Sequence, residues 1–151
     1  MADARSFRSR DGRRLLRLGA VLFLLGLLVG LGIPHFAAPR QALAAHLLPV
    51  TQAALLMVLG VAWPRLRLTS RQSRLGSGLG LYGFPAAWFA TLLAALWKAG
   101  ATMMPMSSGG AYGTPVQESA IRLLLTSGAL CQIGFAVVVV WGLRGPAGAD
   151  A

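Results

Sequence analysis

The chain has 151 residues, 56% of them hydrophobic and only 12% charged, which excludes an ordinary soluble domain. Fourteen Lys and Arg against four Asp and Glu give a formal charge of +10, but the basic residues stand in blocks outside long uncharged stretches, so a nucleic-acid-binding face is excluded as well. One cysteine and two scattered histidines supply neither a disulfide nor the ligand spacing of a structural zinc site, and no metal is expected.

In chain order, 22 uncharged residues lie between Arg17 and Arg40, 24 between Arg40 and Arg65, 23 between Arg74 and Lys98, and 21 between Arg122 and Arg144. A hydrocarbon core of ~30 Å needs about 20 helical residues. The expectation is an all-α integral membrane four-helix bundle over residues 15–145, with spans at about 17–38, 43–64, 76–98 and 117–143. The continuous Leu/Ala/Val runs lack the alternation of barrel strands. Residues 1–14 read as a disordered basic arm and residues 146–151 as a disordered tail.

Arg5, Arg8, Arg10, Arg13, Arg14 and Arg17 precede the first span, and Arg65, Arg67, Arg71 and Arg74 separate the second from the third. The positive-inside rule then puts both termini in the cytoplasm, in what reads as a bacterial inner membrane. A cleaved signal ending near Ala42-Leu43-Ala44 is the weaker reading, because the apolar run is long and Pro34, Pro39 and Arg40 crowd the approach.

Helices in lipid pack through small residues, and Gly26 with Gly30, and Gly76 with Gly80 followed by Ala86, Ala90 and Ala94, have the required spacing of four. Trp63, Trp97 and Trp141 near the span ends read as interfacial aromatics. Trp88, mid-span on a face with Phe84 and Thr91, reads as ordinary packing or as the wall of a buried pocket.

Thr114 and Pro115 cap the fourth span and place Gln117 and Glu118 in its first turn. Glu118, Arg122, Thr126, Ala129 and Gln132 share one arc of that helix, a polar face expected to point into the bundle. Two readings stand for it: an i,i+4 ion pair of Glu118 with Arg122 that locks the helix, or a proton-transfer site where Glu118, His35, His46 and Tyr112 gather at one end of the spans. Met103, Met104 and Met106 lack supporting Cys or His ligands for copper. Cys131 falls off the polar arc and reads as a small buried residue.

Several stretches resemble the hydroxylaminobenzene mutase family: Leu24-Leu25-Gly26-Leu27-Leu28, Ala38-Pro39-Arg40, His46-Leu47, Val58-Leu59-Gly60, Trp63-Pro64-Arg65-Leu66, Leu81-Tyr82-Gly83, and Trp88 with Ala90-Thr91-Leu92. The same holds for Met103-Met104-Pro105, Gly113-Thr114 with Gln117-Glu118, and Trp141-Gly142-Leu143-Arg144-Gly145. The resemblance implies a small membrane isomerase that moves oxygen from nitrogen to the ortho ring carbon, turning hydroxylaminobenzene into 2-aminophenol without an external cofactor, within nitroaromatic degradation. It implies Glu118 as acid/base, with His46 assisting, Gln117 holding the hydroxyl, and Trp88 or Tyr82 facing the small aromatic substrate. Thr114 and Arg122 complete the expected binding set. The sequence departs from the family pattern at Leu48, where Glu is expected, and at Ala87, where Asn is expected, which fits a diverged substrate or an inactive member. Against this stand a proton-coupled small multidrug-type transporter built on one intramembrane carboxylate, and a non-catalytic membrane subunit. Lipid is the expected surround, and the small residues invite a homo-oligomer.

Overall fold

The computed structural model describes residues 2–144, and side chains from residue 10 onward. Four long helices carry the fold: α1 (Ala2–Gly32), α2 (Pro39–Ala62), α3 (Ser70–Trp97) and α5 (Pro115–Gly142), with a one-turn helix α4 (Pro105–Ser108) between the last two. All four are long and apolar enough to cross a membrane, and no strand occurs among the described residues. Short 3₁₀ turns at Ile33–His35 and Trp63–Arg65, each with a proline early in the turn, end α1 and α2. The Ala42 to Ala44 segment lies inside α2.

The helix starts follow from local chemistry. Thr69 and Thr114 each accept a bond from the backbone N–H three residues on, and Gln72 and Gln117 reach back to the cap N–H, so α3 and α5 both open with a complete capping box. α3 stops at Lys98, whose left-handed backbone (φ 51°) turns the chain into the loop before α5.

In lipid the hydrophobic effect does not drive one apolar helix onto another, so backbones must come close. α1 and α2 pair along a glycine seam. A Cβ on Gly12 would lie 2.5 Å from the Gly60 carbonyl oxygen, and one on Gly60 would lie 2.8 Å from that of Gly12, so each helix is notched for the other's backbone. Gly19, Gly26 and Gly30 continue this seam against Ala53, Pro49 and His46. α3 touches all three other spans and packs most extensively on α5, where Gly76, Gly80 and Gly83 meet Val138, Phe135 and Gly128. Both expected glycine pairs therefore mark real contacts.

The apolar centre is aromatic. Trp63 stacks on Phe135 with centroids 5.7 Å apart, and Phe84 meets Phe135 edge-on at 5.3 Å. This corrects the interfacial reading of Trp63, which is fully buried because its indole N–H has a partner, the Ser73 hydroxyl at 3.0 Å. Ser73 in turn donates to Asp11 at 2.6 Å. The disordered arm expected at residues 1–14 is thus corrected too: from Ala2 onward it belongs to α1, and Asp11 is held in the bundle by a hydroxyl bond and by Arg14 at 3.9 Å. The expected tail at 146–151 lies outside the described residues.

Leu24, Leu28, Leu123, Leu130 and Val137 face outward, as a lipid surround requires. The polar arc of α5 is turned into the bundle only in part: Gln132 donates from Nε2 to the Gly83 carbonyl of α3 at 3.0 Å. Arg122, Thr126 and Ala129 are exposed, and the buried side of the helix carries Ile121, Gly128, Phe135 and Val139 instead.

These contacts predict opposite outcomes for two glycine substitutions. Gly60→Ala presses a methyl onto the α1 backbone and should destabilise by roughly 1–3 kcal/mol, whereas Gly78→Ala meets nothing within 4 Å and should be neutral or stabilising by up to about 1 kcal/mol. Thermal unfolding in detergent, followed by circular dichroism, compares the two.

Candidate active site

The loop between α3 and α5 is held by one carboxylate. Glu118, in the first turn of α5, accepts the backbone N–H of Gly100 at 2.6 Å and of Gly113 at 3.0 Å on Oε1, and that of Thr102 at 3.4 Å on Oε2. Gly113 is required by close approach, since a Cβ there would lie 2.5 Å from that of Ala99. Beneath the clasp, Ala94, Ala99 and Ile121 form a second small core with Met104 packed against it. Gln41 of α2 adds a bond from Nε2 to the Ala99 carbonyl at 2.5 Å, which ties the loop to a third helix.

The ion pair considered for Glu118 and Arg122 is therefore replaced by backbone donors. An ion pair does form at the other end of the chain, between Asp11 and Arg14. Arg122 is exposed and lines, with Thr102, Pro115, Glu118 and Ser119, an open cavity of about 230 Å³. Gln117 and Thr114 complete the capping box, Gln117 Oε1 accepting the Thr114 N–H at 2.8 Å. Their role in this geometry is to fix the turn that presents Glu118.

The second group lies between α1, α2 and α3. His46 is half-buried on α2, with Nδ1 2.8 Å from the Gly26 carbonyl oxygen. A carbonyl only accepts, so the network assigns the proton of the neutral ring to Nδ1 and leaves Nε2 with the lone pair. The imidazole fills the notch at Gly30, where a Cβ would lie 2.6 Å from Nδ1. Trp88 of α3 donates its indole N–H to the Ala45 carbonyl at 3.0 Å. Gln52, one turn beyond Pro49, is 8% exposed, and its Oε1 is buried without a hydrogen-bond partner.

The gathering expected of His35, His46, Tyr112 and Glu118 does not form. His35 and Tyr112 are exposed, and His46 and Glu118 bond to different groups, His46 to Gly26 and Glu118 to Gly100 and Gly113. Tyr82 is half-exposed, its hydroxyl 2.8 Å from that of Ser127 on the outer face of α3 and α5. Leu48 is half-buried, and Ala87 is buried near Gly128. Sequence reasoning passed over Gln41, Gln52 and Pro49. Their signal was present: an amide or a proline inside an uncharged membrane span needs a partner that the span itself does not supply.

Two outcomes test this geometry. Glu118→Ala should free the loop, raising amide hydrogen exchange at Gly100, Thr102 and Gly113 by about tenfold or more, as loss of a charge-assisted set of bonds worth ~1.5–3 kcal/mol implies; exchange mass spectrometry reads it. Gly30→Ala should expel the imidazole from its notch in a protein that still folds, and the His46 ring signals of ¹⁵N-histidine-labelled protein should shift.

Comparison with known proteins bears on what these groups do. The family model described as styrene oxide isomerase matches residues 11–144. Hydroxylaminobenzene mutase HabB of Ectopseudomonas oleovorans is 45% identical over 132 residues, covering 87% of this chain and 80% of that protein. Hydroxylaminobenzene mutase HabA of the same organism is 41% identical over 109 residues, covering 72% of this chain and 81% of its own length. No solved structure gives a significant match. A family match running from the docked start of α1 to the end of α5 takes in every helix and both polar sites, and the chain accordingly belongs to the styrene oxide isomerase family of membrane isomerases.

Proposed function

We propose that this chain rearranges an aromatic hydroxylamine such as hydroxylaminobenzene to the corresponding 2-aminophenol. The observation that carries the reading is the 45% identity to HabB across 87% of the chain. The transporter reading is not favoured, since the relatives are named as mutases, the family model is that of an isomerase, and the one carboxylate of α5 is committed to its own loop.

The chemistry needs a proton at the hydroxyl oxygen as the N–O bond breaks and its electron pair leaves on oxygen. The electron-poor ring then forms the C–O bond at the ortho carbon. The oxygen gives back the proton it took, loss of the ortho proton restores aromaticity, and nitrogen takes one up, so gains and losses cancel and starting material and product are isomers. We assign the proton transfers to His46, because its Nδ1 is fixed by Gly26 and its Nε2 lone pair remains for exchange. The unpartnered Gln52 oxygen supplies an acceptor for the substrate N–H inside the bundle. Glu118 acts through the loop that it clasps, with Gln117 and Thr114 holding it there, and the cavity beside Arg122 admits polar substituents from the membrane surface. Trp97 and Trp141, both partly exposed near helix ends, and the arginine blocks support a bacterial inner membrane location with both termini in the cytoplasm. The outward Tyr82 and Ser127 pair, a polar contact on a lipid-exposed face, supports association of copies.

The test is conversion of hydroxylaminobenzene by membranes carrying the wild type, His46→Gln or Glu118→Gln, with products separated by chromatography. Wild type should give 2-aminophenol. His46→Gln should fall by about 10²–10⁴-fold, the range for loss of a general acid/base, and Glu118→Gln, which keeps an acceptor oxygen for the loop, should fall less. A folded, abundant wild type that forms no product excludes this substrate, and a larger loss at Glu118 than at His46 moves the proton transfer to the carboxylate.

A further inference from the structure

The bond between Asp11 and Ser73 fastens α1 to α3, and it also decides which of their neighbours meet. Arg10 stands immediately before Asp11 and Arg14 one turn after it, while Arg74 follows Ser73, so the bridge draws arginines of two helices to one place. There Arg10, Asp11, Arg14 and Arg74 line a cavity of about 150 Å³.

Like charges gathered in this way repel, and the one carboxylate in the cavity is already engaged. Asp11 is 3% exposed; its Oδ2 accepts the Ser73 hydroxyl at 2.6 Å, and its Oδ1 is 3.9 Å from Arg14, an ion-pair distance too long for a hydrogen bond. Arg74 donates from Nε to the Ser70 carbonyl at 3.4 Å, and its two Nη groups have no hydrogen bond among the described residues. Arg14 and Arg74 are both exposed, so the cavity offers guanidinium donors that the protein's own acceptors leave unused.

The position of the cavity along the spans says which anion meets them. The first span runs from Arg10 and the third from Ser70, which places the cavity at one end of both, at the level of lipid headgroups. Leu75, beside Arg74, and Leu16, two residues beyond Arg14, are exposed apolar groups where acyl chains begin. A phosphodiester has two charged oxygens that match the paired N–H donors of a guanidinium.

We infer that this cavity binds the phosphodiester headgroup of an anionic phospholipid, held by Arg14 and Arg74 and bordered by Arg10, with Asp11 fixing the helices that present them. The bound phosphate is a second tie between α1 and α3 beside the Asp11 bond. Lipid binding here is independent of the reaction that the chain performs.

The test uses the full chain purified in a neutral detergent and titrated with phosphatidylglycerol, or with phosphatidylcholine of the same acyl chains. Native mass spectrometry counts bound lipid, and circular dichroism follows thermal unfolding. The wild type should prefer phosphatidylglycerol and unfold at a higher temperature with it, since a ligand of the native state stabilises that state. Arg14→Gln combined with Arg74→Gln should abolish both the preference and the thermal shift. Because Arg14 also faces Asp11, Arg74→Gln alone is the second variant: it leaves the Asp11 to Ser73 bond in place and should weaken phosphatidylglycerol binding by about tenfold, the scale for a hydrogen bond to a charged group. Arg67→Gln combined with Arg144→Gln removes the same charge near the end of α5, away from the cavity, and should keep the preference.

Equal losses in the two double variants mean attraction by charge alone and overturn the proposal. So does a wild type without preference, or a folded Arg74→Gln protein that binds phosphatidylglycerol as the wild type does. Inorganic phosphate at matched ionic strength is the remaining arm. It should give no comparable thermal shift, and a shift equal to that of the lipid overturns the lipid assignment in favour of a soluble phosphate.

Discussion

Inside a bilayer a polar group has no water to fall back on, and the arrangement of this protein follows from where each such group finds its partner. The Ala45 carbonyl, orphaned by a proline, takes an indole from another span. The buried carboxylate of Asp11 takes the Ser73 hydroxyl, which is itself held by Trp63. Glu118 takes three amides of the loop before it. In each case the partner belongs to a different element, so satisfying the group also fixes one element on another. Polar pairing does here part of what apolar burial does in a soluble core.

The second constraint is distance. Bonds of this kind need helix axes close enough for side chains to reach carbonyls, and the glycine seam from Gly12 to Gly30 brings α1 against α2 at that range. The same notches that let the backbones approach also shape the recess of His46, since Gly30 gives the imidazole room and Gly26 gives it a carbonyl. Packing and site are therefore made by one set of residues.

Much of this was legible in the chain. Four uncharged stretches with basic flanks define four spans, and small residues at spacing four define seams, because both signals are set by bilayer thickness and helix geometry. Thr114, Pro115 and Gln117 announce the start of α5 for equally local reasons. What failed was long-range. The helical arc of α5 grouped Glu118 with Arg122, but a carboxylate near a loop rich in left-handed glycines finds backbone amides first, and those are invisible to side-chain patterns. Trp63 looked interfacial by position along its span, and only the hydroxyl of Ser73, supplied by the next helix, makes burial of its N–H affordable. The meaning of Pro49 depended on Trp88, 39 residues later in the sequence.

The clasp at Glu118 relies chiefly on amides, with the Thr102 side chain beside them. An amide is offered by every residue except proline, so the loop can exchange residues such as Met103, Met106 and Tyr112 without losing the bonds that hold it, provided that Glu118 and the tight approach at Gly113 are kept. A segment at the mouth of the bundle is thereby free to drift in sequence while its path stays constant. Such a loop lets a lineage try new surface chemistry, and with it new substrates, over an unchanged scaffold.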